Sequence, residues 1–161
     1  MALVVREVRP ADCEWVRRLL TERWASVRVV SRGRVHQADA LLALVVEGEE
    51  GLVGLATYRI DGDECELVTL DSVAEGRGVG AALLTAVAEA ARGAGCRRLW
   101  LITTNDNVRA LGFYQKRGLS LVAVHRDALE RSRELKPSIP RVGMDGIPLR
   151  DEIELEMWLD R

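Results

Sequence analysis

The sequence predicts a mixed α/β fold in which one sheet begins antiparallel and later takes a parallel step. Two observations lead there. Three apolar, strand-like runs follow one another between residues 41 and 72, separated by Gly48-Glu49-Glu50-Gly51 and by Asp61-Gly62, both short enough for hairpin turns. After Val73 the pattern changes: apolar residues recur at helical spacing, then in a short run, then at helical spacing again. A helix between two strands is what a parallel pair requires.

Taken in order, residues 3–8 alternate like a strand, and Pro10 suits the first turn of a helix. Trp15, Val16, Leu19, Leu20 and Trp24 recur on one helical face. Residues 26–37 are basic and poorly periodic, and are expected to be loop or short irregular helix. Strands are expected at 41–47, 52–60 and 64–72, forming an antiparallel meander. Leu83, Leu84, Val87, Ala88 and Ala91 make the stripe of a helix beginning at Val79 and ending at Gly93 to Gly95. A strand at 98–104 follows, then a helix that Asn105-Asp106-Asn107 can cap, closing near Gly118. After a strand at 119–126, residues 127–150 carry Pro137, Pro140, Pro148, Gly143 and Gly146 and cannot form one regular element. The last strand sets Ile153, Leu155 and Met157 on one face and Glu152, Glu154 and Glu156 on the other.

Composition narrows the classes. A chain of 161 residues fits a single domain spanning 1–161, and 48% apolar with 30% charged residues is ordinary for a soluble globular protein. A net charge of −2 gives no bulk reason for nucleic-acid or membrane-surface binding. No apolar run approaches the ~20 residues of a membrane span. The N-terminal stretch lacks the basic start and cleavage site of a signal peptide. Cys13, Cys65 and Cys96 are odd in number and far apart, which argues against a disulfide framework or a CxxC metal site. The expectation is a reduced, cytoplasmic protein, monomer or homodimer, without a metal.

The strongest chemical signal is the loop Glu75-Gly76-Arg77-Gly78-Val79-Gly80 ahead of the long helix, continued by Ala81. Its glycines let backbone amides approach a ligand, and the helix adds unpaired N–H groups and the positive end of its dipole. A diphosphate suits such a cradle. The spacing is neither the GxxxxGK[ST] of a Walker A loop nor the GxGxxG of a dinucleotide fold. About thirty residues later comes Thr104-Asn105-Asp106-Asn107-Val108-Arg109-Ala110-Leu111-Gly112-Phe113-Tyr114, closing at Gly118.

Together these two stretches resemble the GNAT N-acetyltransferase family. Its Arg/Gln-x-x-Gly-x-Gly/Ala pattern falls on Glu75, Gly78 and Gly80, with Glu75 departing from the usual first residue and Arg77 offering a charge inside the loop. Its later pattern falls on Asn107, Ala110, Tyr114 and Gly118. The resemblance implies the GNAT fold, with a splayed parallel strand pair and flanking helices, and acetyl-CoA as cofactor. It implies that Val68, Thr69 and Leu70 meet the pantetheine arm, that the Leu70 N–H polarises the thioester carbonyl, that Asn107 supports the arm, and that Tyr114 protonates the departing thiolate. The implied activity is acetyl transfer to a primary amine of a small molecule or a peptide. A non-catalytic acyl-CoA sensor or assembly module of the same fold is the alternative.

An amine of ordinary pKa must lose a proton before it attacks. Glu66 is the candidate base, with Glu64 and a water relay as alternatives and a solvated hairpin charge as the plain one. Cys65 points to the other face and reads as core. For the acceptor site, which the resemblance places at 24–39, Ser31, Arg32, Arg34 and His36 are candidates, or else part of a solvated face. The segment 136–151 reads as an ordered lid or a crossover.

Overall fold

The structure is a computed structural model that describes residues 2–159. Its elements run β1 (Val4–Glu7), α1 (Cys13–Trp24), β2 (Arg28–Ser31), β3 (Arg34–Gln37), β4 (Leu42–Gly48), β5 (Gly51–Asp61), β6 (Glu64–Ser72), α2 (Val79–Gly93), β7 (Arg98–Thr104), α3 (Val108–Lys116), β8 (Ser120–His125), α4 (Ala128–Leu135) and β9 (Glu152–Trp158). Seven strands form one sheet in the order β1-β4-β5-β6-β7-β9-β8, and β2 pairs only with β3. The β6–β7 pair is parallel and its neighbours are antiparallel, so the expected mixed sheet is present. The last strand of the chain enters between β7 and β8.

Each face of the sheet has its own cover. The stripe of α2 buries Leu83, Leu84 and Val87 against Leu44, Ala56, Leu99 and Leu155. Tyr114 of α3 joins that core. On the other face α1 and β2 pack Val16, Leu19, Leu20 and Val29 over Val45, Leu55 and Val68. Cys65 is fully buried on the α2 side, which pushes its thiol up to about 12, and it is core as expected.

Two elements correct the sequence reading. Residues 28–37 are a β-hairpin rather than loop or helix, its turn made by Arg32 and Gly33, both at positive φ (51° and 70°). Arms of four residues with exposed arginines are too short for a period of two to show; only Val29, Ser31 and His36 are buried. The segment after β8 begins with the helix α4. Only Leu129 and Ser132 of α4 are buried, so no apolar stripe announced it.

The most consequential local feature lies in β6. Its register against β5 passes from Thr57–Thr69 to Tyr58–Leu67, leaving Val68 as an extra residue. At such a bulge two consecutive side chains take the same face. Val68 accordingly packs in the α1-side core, while the Thr69 hydroxyl meets Thr57 Oγ1 at 2.6 Å, both buried. Parallel pairing with β7 runs from Glu64–Arg98 to Leu67–Leu101 and stops at the bulge.

That threonine pair supports a test. Thr57→Val strands the Thr69 hydroxyl without a partner and is expected to lower stability by about 1–3 kcal/mol. The double valine variant, which removes both polar groups, is expected to recover most of that loss in urea denaturation.

Candidate active site

Where β6 and β7 separate, a cavity of about 400 Å³ opens. Residues 67–71 of β6 and 101–104 of β7 form its sides; Asn107 and Tyr114 reach it from α3, Trp24 from α1, Ser31 from β2 and Glu152 from β9. The Asn107 side chain caps α3, its Oδ1 accepting the Ala110 N–H at 3.1 Å. That cap fixes the helix which carries Tyr114. The Tyr114 ring meets the edge of Phe113 at 5.2 Å, and the Arg117 guanidinium covers Phe113 at 3.9 Å. Burial, with Asp71 nearby, pushes the Tyr114 phenol above its ordinary value. It stays protonated near neutral pH and can serve as a donor.

Asp71, the residue after Leu70, was not singled out in the sequence. The Trp24 Nε1–H donates to its Oδ2 at 2.8 Å, and burial raises its pKa against that hydrogen bond and the nearby Arg23. The available signal was one acidic residue closing an apolar strand just before the glycine loop. Trp24, read as part of a helical face and as the start of the candidate acceptor segment 24–39, carries the indole that holds it.

The loop itself fits an anionic group. Gly76 and Gly78 both have φ of +75°, and nothing stands within 4 Å of where a Cβ would project. Gly78 caps α2, whose first-turn amides have no partner within the helix. Gly80 has a different task, since a Cβ there would come to 3.1 Å from the Phe113 ring; its smallness lets α2 approach α3. Glu75 is exposed, 3.9 Å from Arg109 on α3. Arg77 is exposed within the loop.

The predicted polar residues are partly dispersed. Glu66 is 3% exposed, so it is no solvated hairpin charge. The Ser31 hydroxyl donates to its Oε2 at 2.8 Å, Arg59 stands 3.7 Å away, and burial raises its pKa. Ser31 lies between Glu66 and the cavity, while Glu64 turns to Arg98 at 3.2 Å. His36 is buried beneath the hairpin, 3.8 Å from Glu66, and burial lowers its imidazole to about 4, so it is neutral. Arg34 is exposed on β3. The Arg32 N–H donates to Glu152 Oε2 at 3.2 Å, and Arg32 faces a different depression, beside His125 and Asp127. None of Arg32, Arg34 and His36 lines the gap between β6 and β7.

The segment after α4 is ordered by the Asn105-Asp106 pair. Asn105 donates to Pro148 O and accepts from the amides of Arg150 and Asp151. Asp106 accepts from Thr104 Oγ1 and, at 2.9 Å, from the Met144 N–H. Lys136 donates to the carbonyls of Trp24 and Arg28. This strap encloses a second cavity of about 660 Å³ with Trp24, Val30, Leu129 and Met144, which also line the first. No helix among the described residues is long and apolar enough to cross a membrane. No group of three His, Cys, Asp or Glu among them could hold a metal ion.

Comparison with known proteins bears directly on this arrangement. Residues 9–119 match the model of the acetyltransferase (GNAT) family. The chain belongs to the GNAT acetyltransferase family. It is 44% identical over 140 residues to the uncharacterised protein YdhI of Bacillus subtilis (strain 168), covering 86% of this chain and 88% of that one. Its fold is similar to that of a Bacillus subtilis acetyltransferase solved in complex with CoA (TM-score 0.72, 17% identity, 99% of this chain and 100% of that one). It is also similar to a GNAT acetyltransferase of Elizabethkingia anophelis with acetyl-CoA bound (TM-score 0.70, 17% identity, 98% of each chain). At such identities the likeness is one of fold.

A Cβ on Gly143 would collide with the Asp106 carboxylate. Gly143→Ala is therefore expected to loosen the strap at a cost of about 1–3 kcal/mol. Hydrogen exchange should quicken at amides 143–150 and stay unchanged in the centre of β5.

Proposed function

We propose that this chain transfers the acetyl group of acetyl-CoA to a primary amine of a small molecule or a peptide, by direct attack of the amine on the thioester. The observation that carries this reading is the end of β6–β7 pairing at Leu67–Leu101, which opens a gap holding Tyr114 and Asn107. Acetyl-CoA, when bound, would supply the activated acetyl thioester. Backbone amides from Gly76 to Ala81 would hold its diphosphate, with the Arg77 side chain beside them. The edge of β6 from Val68 to Leu70, released from β7, presents backbone groups to an extended arm as it would to an added strand. The Leu70 N–H would donate to an oxygen gaining charge at the reacting carbonyl. Asn107 would steady the arm from the start of α3. Tyr114 would donate its proton to the leaving sulfur, a step suited to a phenol held neutral by burial.

The proton of the amine would leave through the Ser31 hydroxyl to Glu66, since Ser31 faces the cavity and already donates to that carboxylate. A raised carboxyl pKa moves Glu66 toward the range of a useful general base. The reading is tested by thiol release from acetyl-CoA across a panel of amines, peptides and amino acids. Tight CoA binding with no acceptor-dependent release would favour the sensor instead.

Two substitutions give sharper outcomes. Gly78→Asp sets a Cβ at positive φ and a negative charge in the cradle; calorimetry is expected to show CoA affinity reduced at least tenfold, about 1.4 kcal/mol. Tyr114→Phe keeps the ring but removes the donor. Steady-state kinetics are expected to show kcat lower by about 10² to 10⁴ with cofactor affinity little changed. Near-normal turnover in that variant would leave Tyr114 a packing residue.

A further inference from the structure

The charged groups that border the two joined cavities are nearly all engaged. Asp71 accepts from Trp24, Asp106 accepts from Thr104 and Met144, and Lys136 donates to two backbone carbonyls. Arg23 is exposed and donates to Ser72 O. Glu22 is exposed at the second cavity, and Glu152 is the buried exception. It stands between the gap and the depression of Arg32 and His125, lining both, its side chain is 2% exposed, and its Oε1 is a buried oxygen with no hydrogen-bond partner. Its other oxygen accepts the Arg32 N–H, and the Arg32 guanidinium remains 3.9 Å from Oε1, beyond hydrogen-bond reach. A buried, half-satisfied carboxylate costs free energy and persists where something else completes it.

The surroundings specify what completes it. Glu154 on the same strand and Glu66 on β6 add negative charge, while His125 on β8 and Arg32 in the hairpin turn offset part of it. Burial holds the Glu152 carboxyl above its usual range, and a cation against Oε1 would bring it down. Seven residues line both cavities: Val29, Val30, Leu129 and Met144 with the ring of Trp24 make an apolar wall, and Thr104 and the exposed Arg23 complete it. A carboxylate or phosphate carried to the buried end of this space would meet Asp71 and Glu152, the cation of the shared lining being the exposed Arg23. A flat apolar group would fill it.

We propose that Glu152 is the docking point for the acceptor's ammonium group, and that the acceptor is a cationic amine with an apolar body and no carboxylate. This rests on the acetyltransferase reading above and narrows it. Arg32, Arg34 and His36 then serve the hairpin that holds Ser31 and Glu152 in place, and recognise no acidic acceptor. The docked ammonium loses one proton through Ser31 to Glu66, as above, before its nitrogen attacks; Glu152 acts by binding, so its loss is read in KM more than in kcat.

The test uses the full chain and two probes, 2-phenylethylamine and L-phenylalanine, which differ by one carboxylate. In the presence of CoA, calorimetry is expected to show the amine binding at least tenfold more tightly than the amino acid. With acetyl-CoA, Glu152→Gln is expected to raise KM for the amine at least tenfold, about 1.4 kcal/mol, with kcat within about threefold and CoA affinity unchanged. Glutamine retains a carbonyl for the Arg32 N–H, and a thermal melt of the variant within a few degrees of the wild type checks that the hairpin holds. Equal or preferential binding of L-phenylalanine, an unchanged KM, or no binding of the amine to the CoA complex would overturn the docking proposal while leaving acetyl transfer intact. Failure of the wild-type chain to bind CoA would remove the acetyltransferase reading and this proposal with it.

Discussion

One extra residue in β6 governs the rest of the site. A strand in regular register with both neighbours would carry the β6–β7 ladder to its end, and the sheet would close. Val68 breaks that register, turns two successive side chains to one face and leaves the following backbone without a partner on β7. The buried Thr57–Thr69 hydroxyl contact keeps β6 attached to β5 through the irregularity. The site is thus a controlled failure of pairing inside an otherwise continuous sheet. The glycine loop and α3 are arranged around it.

Local sequence carried part of this and lacked the rest for identifiable reasons. The stripe of α2 was legible because fifteen residues give four turns of periodicity, and β6 because its apolar run is bounded by a hairpin turn and the glycine loop. The cap and Tyr114 of α3 followed from a dense motif. The bulge was not legible, since it is a relation between β5 and β6 rather than a property of either. The hairpin at 28–37 was hidden by its short arms and exposed arginines, and α4 by having two buried residues. Glu66 stood out as a residue but its burial did not, because the hairpin that covers it was not recognised.

Glu152 shows the same limit from another side. Alternation assigned it correctly to the glutamate face of the last strand, yet alternation says nothing of which strands flank that one. With β7 on one side and β8 on the other, and the hairpin above, that face is interior at Glu152 and becomes charged structure at Glu154 and Glu156, where Arg98 bridges both at 2.6 Å. Burial of charge along this face is therefore graded. It is paired by Arg98 at one end and left with a buried, unpaired oxygen at Glu152.

The threading of β9 also dictates an order of assembly. Among the described residues β8 has no sheet partner other than β9, and the edge of β7 away from β6 is likewise covered by β9 alone. Until residues 152–158 arrive, β8 cannot be anchored and β7 offers a bare edge, the kind of surface that invites wrong pairing. The meander from β4 to β6 and the α2 crossover can assemble from contacts close in sequence, whereas the far third of the sheet waits for the most distant ones. The glycine loop is thus set by early, local structure, and the Glu152 side of the gap by late, non-local structure. A chain emerging during synthesis would have its glycine loop and α2 in place well before Glu152 reached the gap.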